Sequence, residues 1–213
     1  MINNSQNIKS LIIENQYFPC VNYINTLFQF SNIKIEQYDS YQKMSFRNRS
    51  VVAGSNGVVD LSVPLESGRN QRGLMKDVRI SHLSNWQVQH LRTIESCYSR
   101  SPYFEYYRDG IWELLKKKQS FLLDMNLEIL NWLKKVLKFS GEVSLTDGYE
   151  KHYPEDVIDL RNHFLPKKRL EQNPGFVYTQ VFEDRIGFQP NLSILDLLCC
   201  LGPESRRLME TTN

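Results

Sequence analysis

No stretch of this chain approaches the roughly 20 apolar residues that a membrane-spanning helix needs, so no candidate span is present in its 213 residues. The opening segment, MINNSQNIKS, has one lysine and no apolar core ahead of a small-residue cleavage site, which argues against a secretory leader. A soluble, cytoplasmic protein is the expectation. Charge of one sign is also lacking. The 26 basic and 24 acidic residues leave a net charge of +2, too balanced to announce nucleic acid or an anionic membrane as partner. The short runs Lys116-Lys117-Lys118 and Lys167-Lys168-Arg169 read as solvated faces.

Metal and redox signatures are missing as well. The four cysteines, Cys20, Cys97, Cys199 and Cys200, form no CxxC pair and read as buried, reduced thiols. The four histidines, His82, His90, His152 and His163, form no HxH or HExxH pattern, and no metal site is expected. There is no GxGxxG, GxxxxGK[ST] or GxSxG, so phosphate-loop, dinucleotide and nucleophile-elbow chemistry have no sequence support.

What is present is a 41% hydrophobic, 12% aromatic chain, enough for one domain with a sizeable core over 1–213. Residues 1–9 are polar and read as a loose end. Leu11 to Glu14 suits a buried strand, Val21 to Phe30 a helix, and Ile33 to Tyr38 a second strand. That order predicts a βαβ unit whose loops, after Gln16 and at Asp39, open on one sheet edge. Asn56-Gly57 between β-branched runs predicts a hairpin. A polar loop follows over Glu66 to Gly73, and a short strand is expected at Val78 to Ile80.

About sixty helical residues come next. Ser84-x-x-Gln87 has the form of a capping box, with Val88, Leu91, Ile94 and Tyr98 on the apolar face and His90 on its flank. Ser101-Pro102 restarts a helix, and Leu122, Met125, Ile129, Leu133 and Val136 form another apolar face. Gly141 to Tyr149 offers a further strand, and 156–166 shows no clear period. Val177 to Phe182 alternates like a strand, and Ser193 to Leu201 reads as a capped helix. The fold expected is α/β (or α+β): a βαβ start, a hairpin, a central helical segment, and a C-terminal strand and helix returning to the same sheet.

The densest polar stretch is Ile33 to Val52. It carries Glu36, Asp39, Lys43, Arg47, Asn48 and Arg49, interleaved with Tyr38, Tyr41 and Phe46. Polar groups just beyond a strand's carboxyl end are where open sheets bind ligands. Lys43, Arg47 and Arg49 suit a phosphate or carboxylate, or else pair with Glu36 and Asp39. Asn48 either donates to a ligand or holds a turn. Gln16 and Tyr17 either line a pocket or pack inside. His90 is the one candidate general base near neutral pH, with Asp77 as its orienter; a hydrogen-bonded core histidine and a turn cap are the other readings. Trp86 lies one helical turn before His90.

Taken in order, Gln16-Tyr17-Phe18-Pro19, Glu36-Gln37-Tyr38-Asp39, Phe46-Arg47-Asn48-Arg49, Leu61-Ser62-Val63-Pro64, Lys76-Asp77-Val78-Arg79-Ile80, Ser101-Pro102-Tyr103-Phe104 and Gly187-Phe188-Gln189-Pro190-Asn191 resemble the WbqC-like family of bacterial proteins. The resemblance runs from about Leu11 to about Leu208. It departs at Tyr38, where relatives often carry histidine. It implies a place in O-antigen or other surface-polysaccharide clusters, with a glycine-transferring role suggested for one relative. An enzyme that moves an aminoacyl or other acyl group onto an amino sugar or nucleotide sugar is one expectation. On that reading His90 is base, Asp77 orienter, Asn48 or Gln16 oxyanion donor, and Lys43, Arg47 and Arg49 the anion clamp. An activated acyl or nucleotide donor would be its co-substrate. The other expectation is a sugar-binding protein of the same pathway without chemistry, its aromatics, Trp86 among them, stacking on sugar rings.

Overall fold

The computed structural model describes residues 10–68, 71–172 and 176–211. The expectation for residues 1–9 lies outside them. The first strand, β1 (Ser10–Ile13), leads through α1 (Val21–Leu27) to β2 (Asn32–Ile35). Leu11 faces Ile33 and Ile13 faces Ile35 in a parallel ladder, as the βαβ reading requires. β1 is a nearly continuous apolar run, as suits a strand covered on both faces, whereas β2 alternates, with Asn32 and Lys34 half-buried between Ile33 and Ile35; Leu11, Ile13, Ile33 and Ile35 are all fully buried.

The hairpin follows as β3 (Arg49–Gly54) and β4 (Gly57–Ser62), antiparallel and forming a separate two-stranded sheet. Gly57 turns it at a φ of 136°, a conformation that glycine alone adopts without strain. Three long helices come next, α2 (Trp86–Tyr98), α3 (Phe104–Lys116) and α4 (Leu122–Val136), and then two strands, β5 (Glu142–Leu145) and β6 (Val157–Asp159). The chain ends with α5 (Glu183–Ile186), α6 (Ile194–Leu201) and α7 (Glu204–Thr211). The main sheet has the order β5-β2-β1-β6, every pairing parallel. The α/β class is therefore as expected. No helix among the described residues is long and apolar enough to cross a membrane.

Several local expectations change. Val177 to Phe182 forms no strand. Its alternation is genuine, with Tyr178 and Gln180 buried and Val177 exposed. But these side chains bond to Asp196 in place of a backbone ladder, and the strand that returns to the sheet is β6. Val78 to Ile80 supplies only isolated bridges, Arg79 to Phe121 and Ile80 to Leu65. The Ser84 box does not form, since α2 is preceded by Asn85 without a side-chain cap, and Val88 is exposed. Ser101 does not cap α3; its hydroxyl donates to the Tyr98 carbonyl at 2.6 Å and closes the end of α2. The Ser193 cap is present, its hydroxyl accepting from the Leu195 amide at 3.3 Å.

Candidate functional site

Four parallel strands deliver their carboxyl ends to one edge, and each end adds polar groups there. Glu14, Asn15 and Gln16 follow β1, Glu36 follows β2, Thr146 follows β5, and Arg161 and Asn162 lie just past β6. They form one network. Glu36 Oε1 accepts from the Tyr38 amide at 2.7 Å and from the Thr146 hydroxyl at 3.0 Å. Glu36 Oε2 takes Tyr153 and Arg161, each at 3.4 Å. Glu14 accepts from Gln16 Nε2 at 3.1 Å and from the Asn162 amide at 2.8 Å.

Arg47 reaches the same edge from the loop before β3. Its guanidinium pairs with Asp39 at 3.1 Å and donates to Asn162 Oδ1 at 2.9 Å. Asn126 on α4 holds the Arg47 carbonyl at 2.7 Å. Arg161 grips Asp159 side-on, Nε donating to Oδ1 at 2.9 Å and Nη2 to Oδ2 at 2.7 Å, and its guanidinium lies 5.0 and 5.1 Å from the ring centroids of Tyr149 and Tyr153. The floor is dry: Glu14, Glu36 and Arg47 are buried. The rim is open, with Tyr149 52% exposed and the Asp159 side chain about a third exposed.

Four carboxylates thus meet two guanidiniums. Burial pushes the Glu14 carboxyl above its ordinary value, and the attraction of Arg47 offsets this only in part. Burial, and then the charge of Glu36, raises the Tyr153 phenol. A buried carboxyl with a raised pKa beside a fixed cation is the pattern of acid–base groups.

Of the sequence-predicted residues, Gln16, Glu36, Asp39 and Arg47 come together here. Tyr17, Trp86 and His90 form a second group. The Tyr17 hydroxyl and His90 Nδ1 are 2.8 Å apart, and the Trp86 ring meets the imidazole edge-on at 5.1 Å. All three are buried. The ring also bonds the Ser62 backbone carbonyl, and burial lowers its pKa to about 4. A neutral imidazole with one donor and one acceptor therefore donates to the Ser62 carbonyl and accepts the hydrogen bond of the Tyr17 hydroxyl at Nδ1. The two groups are linked, because the Tyr17 amide donates to the Phe46 carbonyl at 2.9 Å, next to Arg47.

The other predicted residues lie apart. Asn48 accepts from the Tyr41 hydroxyl at 2.7 Å and donates to the Val63 carbonyl at 2.9 Å, which fixes the loop. Arg49 sits in β3 opposite Ser62, and Lys43 is exposed. Asp77 is exposed, and no hydrogen bond joins it to His90. No cluster of three or more metal-ligating side chains occurs among the described residues. Glu14, Thr146, Tyr153, Asp159, Arg161 and Asn162 were not singled out from sequence. For Glu14 a signal existed: it ends the apolar run of β1, where the same edge argument that selected Gln16 applies.

The sequence model of the WbqC-like protein family matches residues 15–165. The chain belongs to that family. The match covers every residue of the WbqC-like edge network except Glu14, which lies one position before it. A Mycobacterium tuberculosis (strain ATCC 25618 / H37Rv) protein described as "Uncharacterized protein Rv1507c" is 23% identical over 221 residues, covering 92% of this chain and 95% of its own length. No solved structure matches the chain.

Proposed function

We propose that this WbqC-like protein is a cytoplasmic transferase of surface-polysaccharide biosynthesis, moving an aminoacyl or other acyl group from an activated donor onto an amino sugar or nucleotide sugar. The observation that carries the reading is Glu14. It is a buried carboxyl with a raised pKa, set beside Arg47 and Asn162 at the carboxyl edge of a parallel sheet. Acyl transfer needs a base to take the proton that the attacking amine loses, and a carboxylate of raised pKa is a better base than an ordinary one. Asp39 and Asp159 at the rim suit an ammonium or sugar hydroxyls, and the exposed Tyr149 ring suits a sugar face. His90, already engaged by Tyr17 and Ser62, then supports the loop after β1 as a positioning group. Glu14 replaces it as the proposed base. The reading asks for an activated acyl or nucleotide donor as co-substrate and for no metal.

A thermal-shift screen of nucleotide sugars, amino sugars, acyl carriers and amino acids tests this directly. Ligand at a hundred times its Kd stabilises by ~2.7 kcal/mol. The shift should be retained in Glu14→Gln while transfer is lost. A flat response to every nucleotide and amino sugar would remove the activated-sugar reading. The second reading, a sugar-binding protein without chemistry, is favoured by the engagement of Glu36 by Tyr38 and Thr146 and of both terminal nitrogens of Arg47 by Asn162 and Asp39. It predicts binding with no turnover in wild type or variant.

A further inference from the structure

A cavity of about 850 Å³ lies away from the edge network, between the tip of the hairpin, the end of α2, the segment 179–185 and the end of α6. A second, of about 430 Å³, adjoins it and shares Gly54, Ser55, Ser96 and Cys97 with it. Together they make one groove along the carboxyl-terminal half of α2. No residue of the edge network lines either part.

Two features define what this groove suits. The first is a set of small hydroxyls, Ser55, Thr93, Ser96, Ser99, Ser101 and Thr179, with the amide of Asn56 among them; the Thr93 and Ser101 hydroxyls donate to the Gln89 and Tyr98 carbonyls and offer their acceptor sites. Such side chains both donate and accept hydrogen bonds, which matches a ligand rich in hydroxyls. The second is Arg92, Arg100 and Arg185. All three line the groove and are exposed, and none is among the ion pairs or side-chain hydrogen bonds of the described residues, which engage other arginines. Two acids are present, Glu183, whose carboxylate accepts from the Gln180 backbone amide at 3.1 Å, and Asp184, and the three guanidiniums outnumber them. Guanidinium forks with no internal partner suit a phosphate, which they bind in two-pronged fashion.

The groove wall is built in advance. Gln180 is buried. It donates to Asp196 Oδ2 at 3.0 Å and to the Gln189 carbonyl at 2.9 Å, and accepts from the Gln189 amide at 2.8 Å. The chain that carries Thr179 to Arg185 is thereby fastened to α6 and needs no ligand to take its shape. This wall lies outside residues 15–165, the span that marks the family.

We propose that this groove is a second ligand site, taking a phosphorylated saccharide whose hydroxyls meet the serine and threonine lining and whose phosphate meets Arg100 and Arg185. The proposal stands independently of the reading of the edge network. Isothermal titration of the full chain with glucose 1-phosphate, UDP-glucose, UDP, glucose and inorganic phosphate tests it. Glucose 1-phosphate or UDP-glucose should bind, and Arg100→Ala/Arg185→Ala should weaken that binding about tenfold or more, the loss expected when charge-assisted hydrogen bonds go. Glu14→Gln should leave it unchanged, so that failure here is distinct from failure at the sheet edge. Both arginines are exposed, so the double variant should keep its fold, checked by an unchanged melting temperature. Binding unaffected by the double variant, or sensitive to Glu14→Gln alone, overturns the site. Phosphate or UDP binding as tightly as the saccharides overturns the ligand class. No binding of either saccharide at millimolar concentration overturns the proposal outright.

Discussion

The backbone amide of Asn162 donates to the Glu14 carboxylate at 2.8 Å, across 148 positions of sequence. This bond ties the loop after β6 to the end of β1 and closes the floor of the edge network. Since burial raises the Glu14 pKa above its ordinary 4.5, the folded protein should hold a protonated carboxyl at a pH where solvated ones have ionised. Infrared difference spectra taken through a pH titration should show a protonated-carboxyl band persisting above that value and reduced in Glu14→Gln. Asp196→Asn serves as control for a second buried acid whose pKa burial raises. An unaltered band in Glu14→Gln would mean that this carboxyl ionises normally, and its role as a tuned base would be lost.

Arg47 is the cation on which the floor depends. Its guanidinium is 1% exposed, its Asp39 partner 13%, and its Nε has no partner among the described residues. Removing one member of a buried pair leaves the other charge without compensation, which costs about 3–5 kcal/mol. Arg47→Met should therefore lower the unfolding free energy in urea by that amount, toward the lower end because Asp39 touches solvent. A loss under ~1 kcal/mol would place the pair with ordinary surface ion pairs.

How much of this was legible depends on distance along the chain. The unit from β1 to β2 could be read because buried apolar runs and a helix period sit side by side, and the hairpin because Asn56-Gly57 marks its turn. Gln16, Glu36, Asp39 and Arg47 could be chosen because each lies just beyond or near a readable strand end. β6 could not be read, as three residues give no period. Arg161 and Asn162 follow it, and their partners Glu36 and Glu14 are 125 and 148 positions away. The stretch 177–182 misled for a physical reason. Alternation reports an extended backbone with one buried face, and says nothing about whether a neighbouring edge exists to pair with.

Tyr17 and His90 make a second buried contact testable by its pH dependence. The His90 pKa is lowered to about 4. A histidine lowered in this way stabilises the fold fully above its ordinary value near 6.5, and that contribution is lost as pH falls toward about 4. The imidazole should hold its neutral NMR signature down to about pH 5, and titration near the ordinary value would contradict the burial. Tyr17→Phe leaves Nδ1 without its donor, at a cost of ~1–3 kcal/mol.

Asp196 carries the opposite sign. It is fully buried on α6, and burial raises its pKa from 3.8 to about 6, while hydrogen bonds from Tyr178 and Gln180 pull it back only in part. A carboxyl raised on folding contributes stability that is complete below 3.8 and is lost as pH rises through about 6. The shift corresponds to on the order of 3 kcal/mol. Asp196→Asn has no proton to lose, so any constant cost of the substitution is the same at every pH. Only the pH dependence reports on ionisation. The melting temperature of the variant relative to wild type should climb as pH rises from about 4 to about 7, and level off above the folded pKa. Parallel melting curves across that range would mean that Asp196 ionises as freely in the fold as in the unfolded chain. The anchor of the 179–185 wall would then be an ordinary charged hydrogen bond.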